Sequence, residues 1–283
     1  MGTSSSSNGP GSGIPMVPPW ADNPTETPDA GQSGQDDNQS IPEDNNAGDN
    51  IKESNPPPLN APPGRFGGAR SSLGAFAGDG SSSSMRNGIR QYVSRGYGGA
   101  KSAARRMGST ASTAGGLAGI LSSDTRTTTQ SDHFNAQSFQ SKNSDDVVNA
   151  IIEAVRPIDG TQDSEASRES IKDALSELLD KNPDADLLEL NDNDKYLVIE
   201  TFLATDIYQR IALDVGKHIQ DKAPNAAAGV SRLKQIKEYV RETVKSSFKK
   251  LGNNLSSLSQ NQVTLLARSV LEDTYEVFED YTR

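Results

Sequence analysis

Residues 193–222 read NDKYLVIETFLATDIYQRIALDVGKHIQDK, and the apolar side chains of this stretch recur every three or four positions. This spacing matches the turn of a helix that buries one face, and the acidic residues Asp192 and Asp194 are typical of a helix start. Pro224 then ends the run. We therefore predict one long helix over about 193–222, packed through Tyr196, Leu197, Ile199, Phe202, Leu203, Ile207, Ile211, Val215 and Ile219.

Four further stretches of residues 144–283 carry the same period. Ser144 starts the first, and Ser259 with Gln262 forms a capping box for the last. In the stretch over about 228–251, the predicted buried positions are Val230, Leu233, Ile236, Val240, Val244, Phe248 and Leu251. Strand-like alternation is absent from this sequence. We predict an all-α C-terminal domain over 144–283 with about five helices, at about 144–155, 165–181, 193–222, 228–251 and 260–281.

The composition predicts that part of the chain does not pack. Of 283 residues, 33% are hydrophobic and 5% aromatic, which is low for a globular protein of this size. Residues 1–63 hold twelve of the fifteen prolines and no Phe or Tyr. We predict a long disordered N-terminal region, with a recognition tail over 1–20 and an acidic, Pro-rich linker over 21–63. The linker is a spacer or a polyproline ligand for a partner.

Residues 64–143 form a basic, Gly-rich segment with ten bases and three acids. Short helices are predicted at about 85–95 and 100–121, and Gly115 and Gly119 lie four apart, which permits close helix packing. Three interpretations stay open: docking on a protein partner, non-specific nucleic-acid contact, or a solvated basic linker. The candidate binding residues are Arg86, Arg90, Arg95, Lys101, Arg105 and Arg106.

A second group of basic residues, the basic stripe, recurs at threes and fours on the predicted helix over 228–251. It meets a phosphate backbone, the acidic linker or only solvent. The basic stripe consists of Lys234, Lys237, Arg241, Lys245 and Lys249.

The sequence offers no catalytic constellation. Cys is absent, and the two histidines, His133 and His218, stand apart from metal-ligand spacings. The acidic spacings of Glu200, Asp206 and Asp214 are expected by chance on so acidic a helix, so we assign them no chemistry. Ala100-Lys101-Ser102 lacks the glycines of a phosphate-binding loop. We predict a protein that is not an enzyme and takes no metal or cofactor. The sequence also predicts a cytoplasmic protein that makes no membrane contact, because no signal peptide or spanning apolar run is visible.

The first twenty residues carry a different signal. Removal of Met1 would make Gly2 a free α-amine with a pKa of roughly 7.7–8.0, so part of it is unprotonated near neutrality. Gly2 is therefore a candidate modification site, and Thr3, Pro18, Pro19 and Trp20 are candidates for recognition of the tail. N-myristoylation is an alternative, since Ser6 completes its short pattern.

Several short motifs resemble the QatB family of the bacterial Qat anti-phage system. The motifs are Met1-Gly2-Thr3-Ser4-Ser5, Gly9-Pro10, Ile14-Pro15, Pro18-Pro19-Trp20, Arg95-Gly96-Tyr97-Gly98-Gly99 and Arg105-Arg106-Met107-Gly108. The resemblance implies a non-enzymatic defence component whose operon partners are a P-loop ATPase, a QueC-like enzyme and a TatD-like nuclease. It also implies that the QueC-like enzyme conjugates a 7-deazaguanine to Gly2, and that the helical domain docks on the ATPase. The alternative is a nucleic-acid-binding adaptor that uses the basic middle segment.

Overall fold

The computed structural model describes residues 64–122, 143–251 and 258–280, and every regular element in these ranges is helical. The predicted all-α fold is therefore confirmed. The α-helices are α1 (Gly67–Asp79), α2 (Ser82–Gln91), α3 (Ala100–Arg106), α4 (Gly108–Ile120), α5 (Ser144–Val155), α6 (Gln162–Lys181), α7 (Asp192–Ile211), α8 (Lys217–Lys222), α9 (Ala226–Leu251) and α10 (Gln260–Asp280). Two π-helices join them, Tyr92–Tyr97 between α2 and α3, and Ala212–Gly216 between α7 and α8.

Side-chain caps fix where the C-terminal helices begin. The Asn191 side chain accepts a hydrogen bond of 3.0 Å from the backbone N–H of Asp194 at the start of α7. Thr161 does the same for α6, which therefore begins three residues before the predicted position. At the start of α10, the backbone N–H of Ser259 donates to Oε1 of Gln262 over 2.8 Å. The predicted capping box is thus confirmed.

The long predicted helix is present over its full length, but it is not uniform. It runs as α7, the π-helix Ala212–Gly216, and α8, and its apolar face is buried through Phe202, Ile207 and Ile219. On α9 the prediction that Val230 is buried is wrong, because this side chain is 64% exposed. The neighbouring Gly229 faces α8, where a Cβ would lie 3.4 Å from Cα of Gln220, so the next residue of the helix points away.

The middle segment is more structured than its composition indicates. Helix α1 was not predicted, and the helix predicted at 100–121 is divided at Met107 into α3 and α4. Leu73, Phe76 and Leu117 are fully buried in the same core as the C-terminal helices. The described residues all belong to one unit, Pro58–Arg283. The partner-binding role of residues 64–143 stays a prediction, whereas its helices pack into the common core.

Small residues allow this packing. A Cβ at Gly115 would overlap Oγ1 of Thr264 on α10 and lie 2.9 Å from the backbone oxygen of Gln260. A Cβ at Gly119 would lie 3.2 Å from the Gln260 side chain. The predicted close packing at these two glycines is confirmed, and α10 is the helix that approaches them. Helices rich in Gly and Ala can thus bury surface through backbone proximity rather than through large side chains.

Several predictions lie outside the described residues. These are the disorder of residues 1–63, the modification site Gly2, the recognition residues Thr3, Pro18, Pro19 and Trp20, and His133. Within the described ranges, no helix combines the length and apolar character that crossing a membrane requires.

Candidate functional site

The two π-helices meet at a cluster of two tyrosines and one aspartate. Tyr92 and Tyr97 both donate hydrogen bonds to Oδ2 of Asp214, over 2.8 and 2.9 Å. Burial, together with the charge of Asp214, raises the pKa of Tyr97 to about 12, and burial also raises the pKa of the enclosed Tyr92 phenol. π-Helices are rare and are often found where a protein places side chains for function. Sequence reasoning missed this cluster, since Tyr92 and Asp214 lie in separate segments without a shared motif.

Two Gly-rich segments, Arg65-Phe66-Gly67-Gly68 and Arg95-Gly96-Tyr97-Gly98-Gly99, bring their aromatic rings into contact in this cluster instead of pointing them to solvent. Phe66 stacks on Tyr92 with ring centroids 5.1 Å apart. The Arg65 guanidinium lies 4.4 Å from the Phe66 centroid and 5.2 Å from that of Tyr97. A Cβ at Gly96 would overlap the Phe66 ring, which explains the Gly in this motif. The rings thus stabilise the fold, and their faces are occupied by other side chains rather than open for stacking on nucleic-acid bases.

The candidate binding residues of the middle segment divide into two groups. Arg95, Lys101, Arg105 and Arg106 are exposed, and none of them forms an ion pair with another described residue. Arg86 and Arg90 are partly buried, with the Arg86 guanidinium 5.7 Å from the Tyr239 centroid and Arg90 donating to Asn87 over 3.3 Å. Only the first group therefore offers free cationic charge on the surface.

The basic stripe is interrupted by internal ion pairs. Nζ of Lys237 lies 3.4 Å from Oδ2 of Asp173, and Arg241 pairs with Glu177, both on α6. The remaining members, Lys234, Lys245 and Lys249, are exposed. Sequence periodicity found the stripe, but it did not show that the middle of the stripe attaches α9 to α6.

These ion pairs border a cleft of about 320 Å³ between α6, α7 and α9. It is lined by Asp173, Ser176, Glu177, Asp180, Thr201, Ala204, Thr205, Lys237 and Arg241. Glu200 is next to this lining and is 9% exposed; its burial raises the pKa of its carboxyl group. The cleft therefore combines a charged rim with two threonines of α7 that are largely removed from solvent.

A separate carboxylate is enclosed in the core. Asp206 of α7 is 6% exposed, and Oδ2 accepts a hydrogen bond of 2.5 Å from the Thr110 hydroxyl of α4. Burial raises the pKa of Asp206, and the hydrogen bond from Thr110 and the charge of Arg210 oppose this rise. Asp206 and Asp214 thus have different hydrogen-bond partners, and neither stands in an acid–base pair. Within the described residues, no group of three or more His, Cys, Asp or Glu side chains is placed to hold a metal ion.

Together these features define an all-α protein whose buried polar groups hold helices together and whose free charges lie on its surface. The family model for QatB, the Qat anti-phage system associated protein, matches residues 98–278, which is more than half of the chain. The chain belongs to the QatB family, and it is a component of a Qat anti-phage system. The match covers the exposed group from Lys101 to Arg106 and most of the helices, and it begins after the tail. The chain matches no curated protein and no solved structure.

Proposed function

We propose that this chain is a non-enzymatic component of its anti-phage complex, with a helical body that docks on partner proteins and a tail that is modified at Gly2. The observation that carries the proposal is the family match over residues 98–278. Membership of a defence system implies partners from the same operon. The partners we propose are a P-loop ATPase, a QueC-like enzyme and a TatD-like nuclease.

The surface proposed for docking on the ATPase is the exposed basic group Arg95, Lys101, Arg105 and Arg106. Lys101 and Arg105 border a groove with Arg268 and Glu272 of α10. Arg106 is oriented by its contact with Tyr97, 5.7 Å from the ring centroid to the guanidinium carbon. Arginines that are held in place lose less conformational freedom on binding than freely rotating ones. The contact of Arg106 with Tyr97 and the groove beside Lys101 and Arg105 therefore favour the basic group as a binding surface for an acidic partner.

The proposed chemistry at the tail is an acyl transfer to the α-amine of Gly2. The QueC-like enzyme would activate a 7-deazaguanine carboxylate as its adenylate. The unprotonated amine attacks the acyl carbon, an amide bond forms, AMP leaves, and the amine loses a proton to solvent. The low pKa of an α-amine, roughly 7.7–8.0 against about 10.4 for Lys, favours this group over lysine side chains near neutral pH.

Intact mass of the chain, expressed alone and with its operon neighbours, tests the modification. We expect an adduct only in the co-expressed sample, located on the N-terminal peptide, and lost or strongly reduced in Gly2→Ala because the added methyl group crowds the amine. Ser12→Ala, which changes the same tail away from its end, should keep the adduct.

The mass of the adduct separates the possible products, since a deazaguanine amide and a fatty-acyl amide differ in composition. An acyl chain would replace the proposal with a lipid-anchored scaffold. An unmodified Gly2 beside an active QueC-like enzyme would contradict the modification altogether.

A second candidate function is a nucleic-acid-binding adaptor, favoured by the free charge of the same basic group. If it is correct, DNA or RNA binding should weaken steeply with salt, with a log–log slope of about 0.7–0.9 per phosphate contact. The double variant Lys101→Glu/Arg105→Glu should reduce this slope by an amount that corresponds to about two phosphate contacts. Lys172→Glu, at an exposed position of α6 outside both basic groups, should leave the slope unchanged. No binding at low salt would reject the adaptor.

A further inference from the structure

Four arginines lie around Tyr97, next to the residue at which the described part of the chain begins, Gly64. This group, the arginine cluster, consists of Arg65, Arg70, Arg95 and Arg106. The guanidinium carbons of Arg65 and Arg106 lie 5.2 and 5.7 Å from the centroid of the Tyr97 ring. One half-buried ring therefore holds two cations, and the first of them directly follows Gly64.

Helix α1 forms the contacts of the other two arginines. Arg70 of α1 donates a hydrogen bond of 3.3 Å to the backbone oxygen of Asp214, and the carboxylate of that residue accepts from Tyr97. Nη1 of Arg95 would lie 3.4 Å from a Cβ at Gly68, in the first turn of α1. The arginine cluster is therefore assembled by the start of α1, the π-helix Tyr92–Tyr97 and the end of α3.

The positive charge of the arginine cluster is not neutralised within the described residues. None of its members takes part in an ion pair there. Asp214 is the carboxylate at the cluster, and it already accepts hydrogen bonds from Tyr92 and Tyr97. It offsets at most one of the four charges. The neighbouring Arg210 is paired with Asp163, so this pair leaves the balance unchanged.

Lys101 is not part of the arginine cluster, because its surroundings are acidic. It lines a groove together with Glu276, Glu279 and Asp280 of α10. None of the four arginines lines that groove. The surplus of positive charge is therefore located at the start of the described chain rather than along α10.

The residues that precede Gly64 carry the opposite charge. The acidic linker over 21–63 contains nine acids and one lysine. Its last four acids fall within residues 43–53, which we call the acidic segment, and they are Glu43, Asp44, Asp49 and Glu53. Residues 54–63 are uncharged, and a stretch of this length spans at most roughly 33–36 Å when fully extended. The acidic segment is therefore tethered within reach of the arginine cluster.

From this charge complementarity and this point of attachment, we propose that the arginine cluster binds the chain's own acidic segment. Single ion pairs on a surface contribute little, but several of them act together here. The tether also raises the local concentration of the acidic segment to the order of 1 mM. A partner that docks through Arg95 and Arg106 has to displace the acidic segment, so the contact regulates access to this surface. The proposal rests neither on the modification at Gly2 nor on docking to the ATPase.

Fluorescence anisotropy of a labelled peptide, residues 41–55, titrated with the full chain tests the contact. In the wild type, the tethered acidic segment should compete with the peptide for the arginine cluster. The quadruple variant Glu43→Gln/Asp44→Asn/Asp49→Asn/Glu53→Gln should bind the peptide about tenfold more tightly, because a tethered competitor at about 1 mM is removed from a site with a Kd of about 0.1 mM. Binding to this variant should weaken with added salt, since the contact is electrostatic.

Two matched sets of variants locate the two sides of the contact. Neutralising four acids further from Gly64, in Asp22→Asn/Glu26→Gln/Asp29→Asn/Asp36→Asn, should leave the wild-type affinity for the peptide nearly unchanged. In the quadruple background, Arg95→Gln/Arg106→Gln should weaken peptide binding several-fold. Lys234→Gln/Lys245→Gln, which removes two equally exposed charges from the basic stripe, should not weaken it.

The assay contains no operon partner, so its result is separate from whether the ATPase docks. Circular dichroism melting curves check that each variant folds. Equal peptide affinity of the wild type and the quadruple variant would overturn the proposal. Equal weakening by the basic-stripe pair, or no binding to the quadruple variant at low salt, would also overturn it.

Discussion

Asp214→Ala is expected to lower the free energy of unfolding by about 3–6 kcal/mol, the sum of two hydrogen bonds to a charged group at about 1.5–3 kcal/mol each. The variant removes the acceptor that Tyr92 and Tyr97 share and leaves the buried Tyr92 phenol without its carboxylate. The hydrogen bond of 3.3 Å from Arg70 to the backbone oxygen of Asp214 remains available in the variant. The lost stability therefore measures the contribution of the carboxylate alone. Urea unfolding followed by circular dichroism measures it.

Two variants separate this effect from a general loss of charge. Asp214→Asn keeps an oxygen acceptor and should cost about half as much. Asp221→Ala, at an exposed position of α8, should change the stability by less than about 0.5 kcal/mol. Equal stability of Asp214→Ala and Asp221→Ala would show that the cluster does not hold the two π-helices together.

The same cluster predicts how stability depends on alkaline pH. An unfolded tyrosine has a pKa of about 10, whereas the folded pKa of Tyr97 is about 12. Because the folded state holds this proton more tightly, its contribution is complete below about pH 10 and is lost as the pH rises toward 12. Tyr97→Phe should remove part of this alkaline loss.

The sequence predicts the helices of the C-terminal half well because their signals are local. Asp192 and Asp194 lie in the first turn of α7, and Ser259 with Gln262 acts within one turn, so the starts of α7 and α10 follow from neighbouring residues. The prediction that Val230 is buried is wrong because its exposure depends on the contact between Gly229 and α8, two different helices. A periodic apolar position shows which face is buried only once the partner helix is known.

The fold of the middle segment, residues 64–143, was harder to predict from the sequence than the C-terminal helices. A stretch rich in Gly, Ser and Arg has little apolar area, so its composition favours a linker. The fold instead uses Gly115 to let α10 approach, and it encloses Phe66 between Tyr92 and Arg65. These contacts are long-range, and single-sequence periodicity does not contain them.

The candidate sites also differ in whether they depend on local sequence or on contacts between helices. Periodicity identifies Lys237 and Arg241 as members of a basic stripe, but only the three-dimensional structure shows that both form ion pairs with carboxylates of α6. The cleft behind them is likewise not visible in the sequence, since Asp180 and Thr201 come from different helices and share no motif. The modification proposed at Gly2, by contrast, rests on the sequence alone, because its chemistry needs a terminal amine rather than a packed site.

Thr110→Val is expected to destabilise the protein by about 1.5–3 kcal/mol near neutral pH, the usual value of a hydrogen bond to a charged group. Valine keeps the shape of the side chain and removes the donor that reaches Oδ2 of Asp206. The carboxylate would then stay buried with less compensation, which is costly in the core. Urea unfolding of both proteins at several pH values measures the difference.

The pH dependence identifies the carboxylate as the cause. Burial already raises the folded pKa of Asp206 above its unfolded value, so the folded wild type loses stability as the pH rises from about 4 through that folded pKa. Removing the Thr110 donor raises the folded pKa of Asp206 further. Thr110→Val therefore loses more stability than the wild type as the pH rises, and this loss extends to higher pH. The difference between the two proteins should therefore be smallest in acid, where Asp206 is protonated in both.

A double-mutant cycle completes the test. In an Asp206→Asn background the acceptor is neutral at every pH, so Thr110→Val should cost only about 0.5–1.5 kcal/mol, independent of pH. Thr113→Val, at another buried position of α4, should show no pH-dependent cost. If Thr110→Val costs the same at pH 4 and pH 8, the hydrogen bond does not act on an ionised Asp206, and the carboxylate is protonated in the folded protein throughout that range.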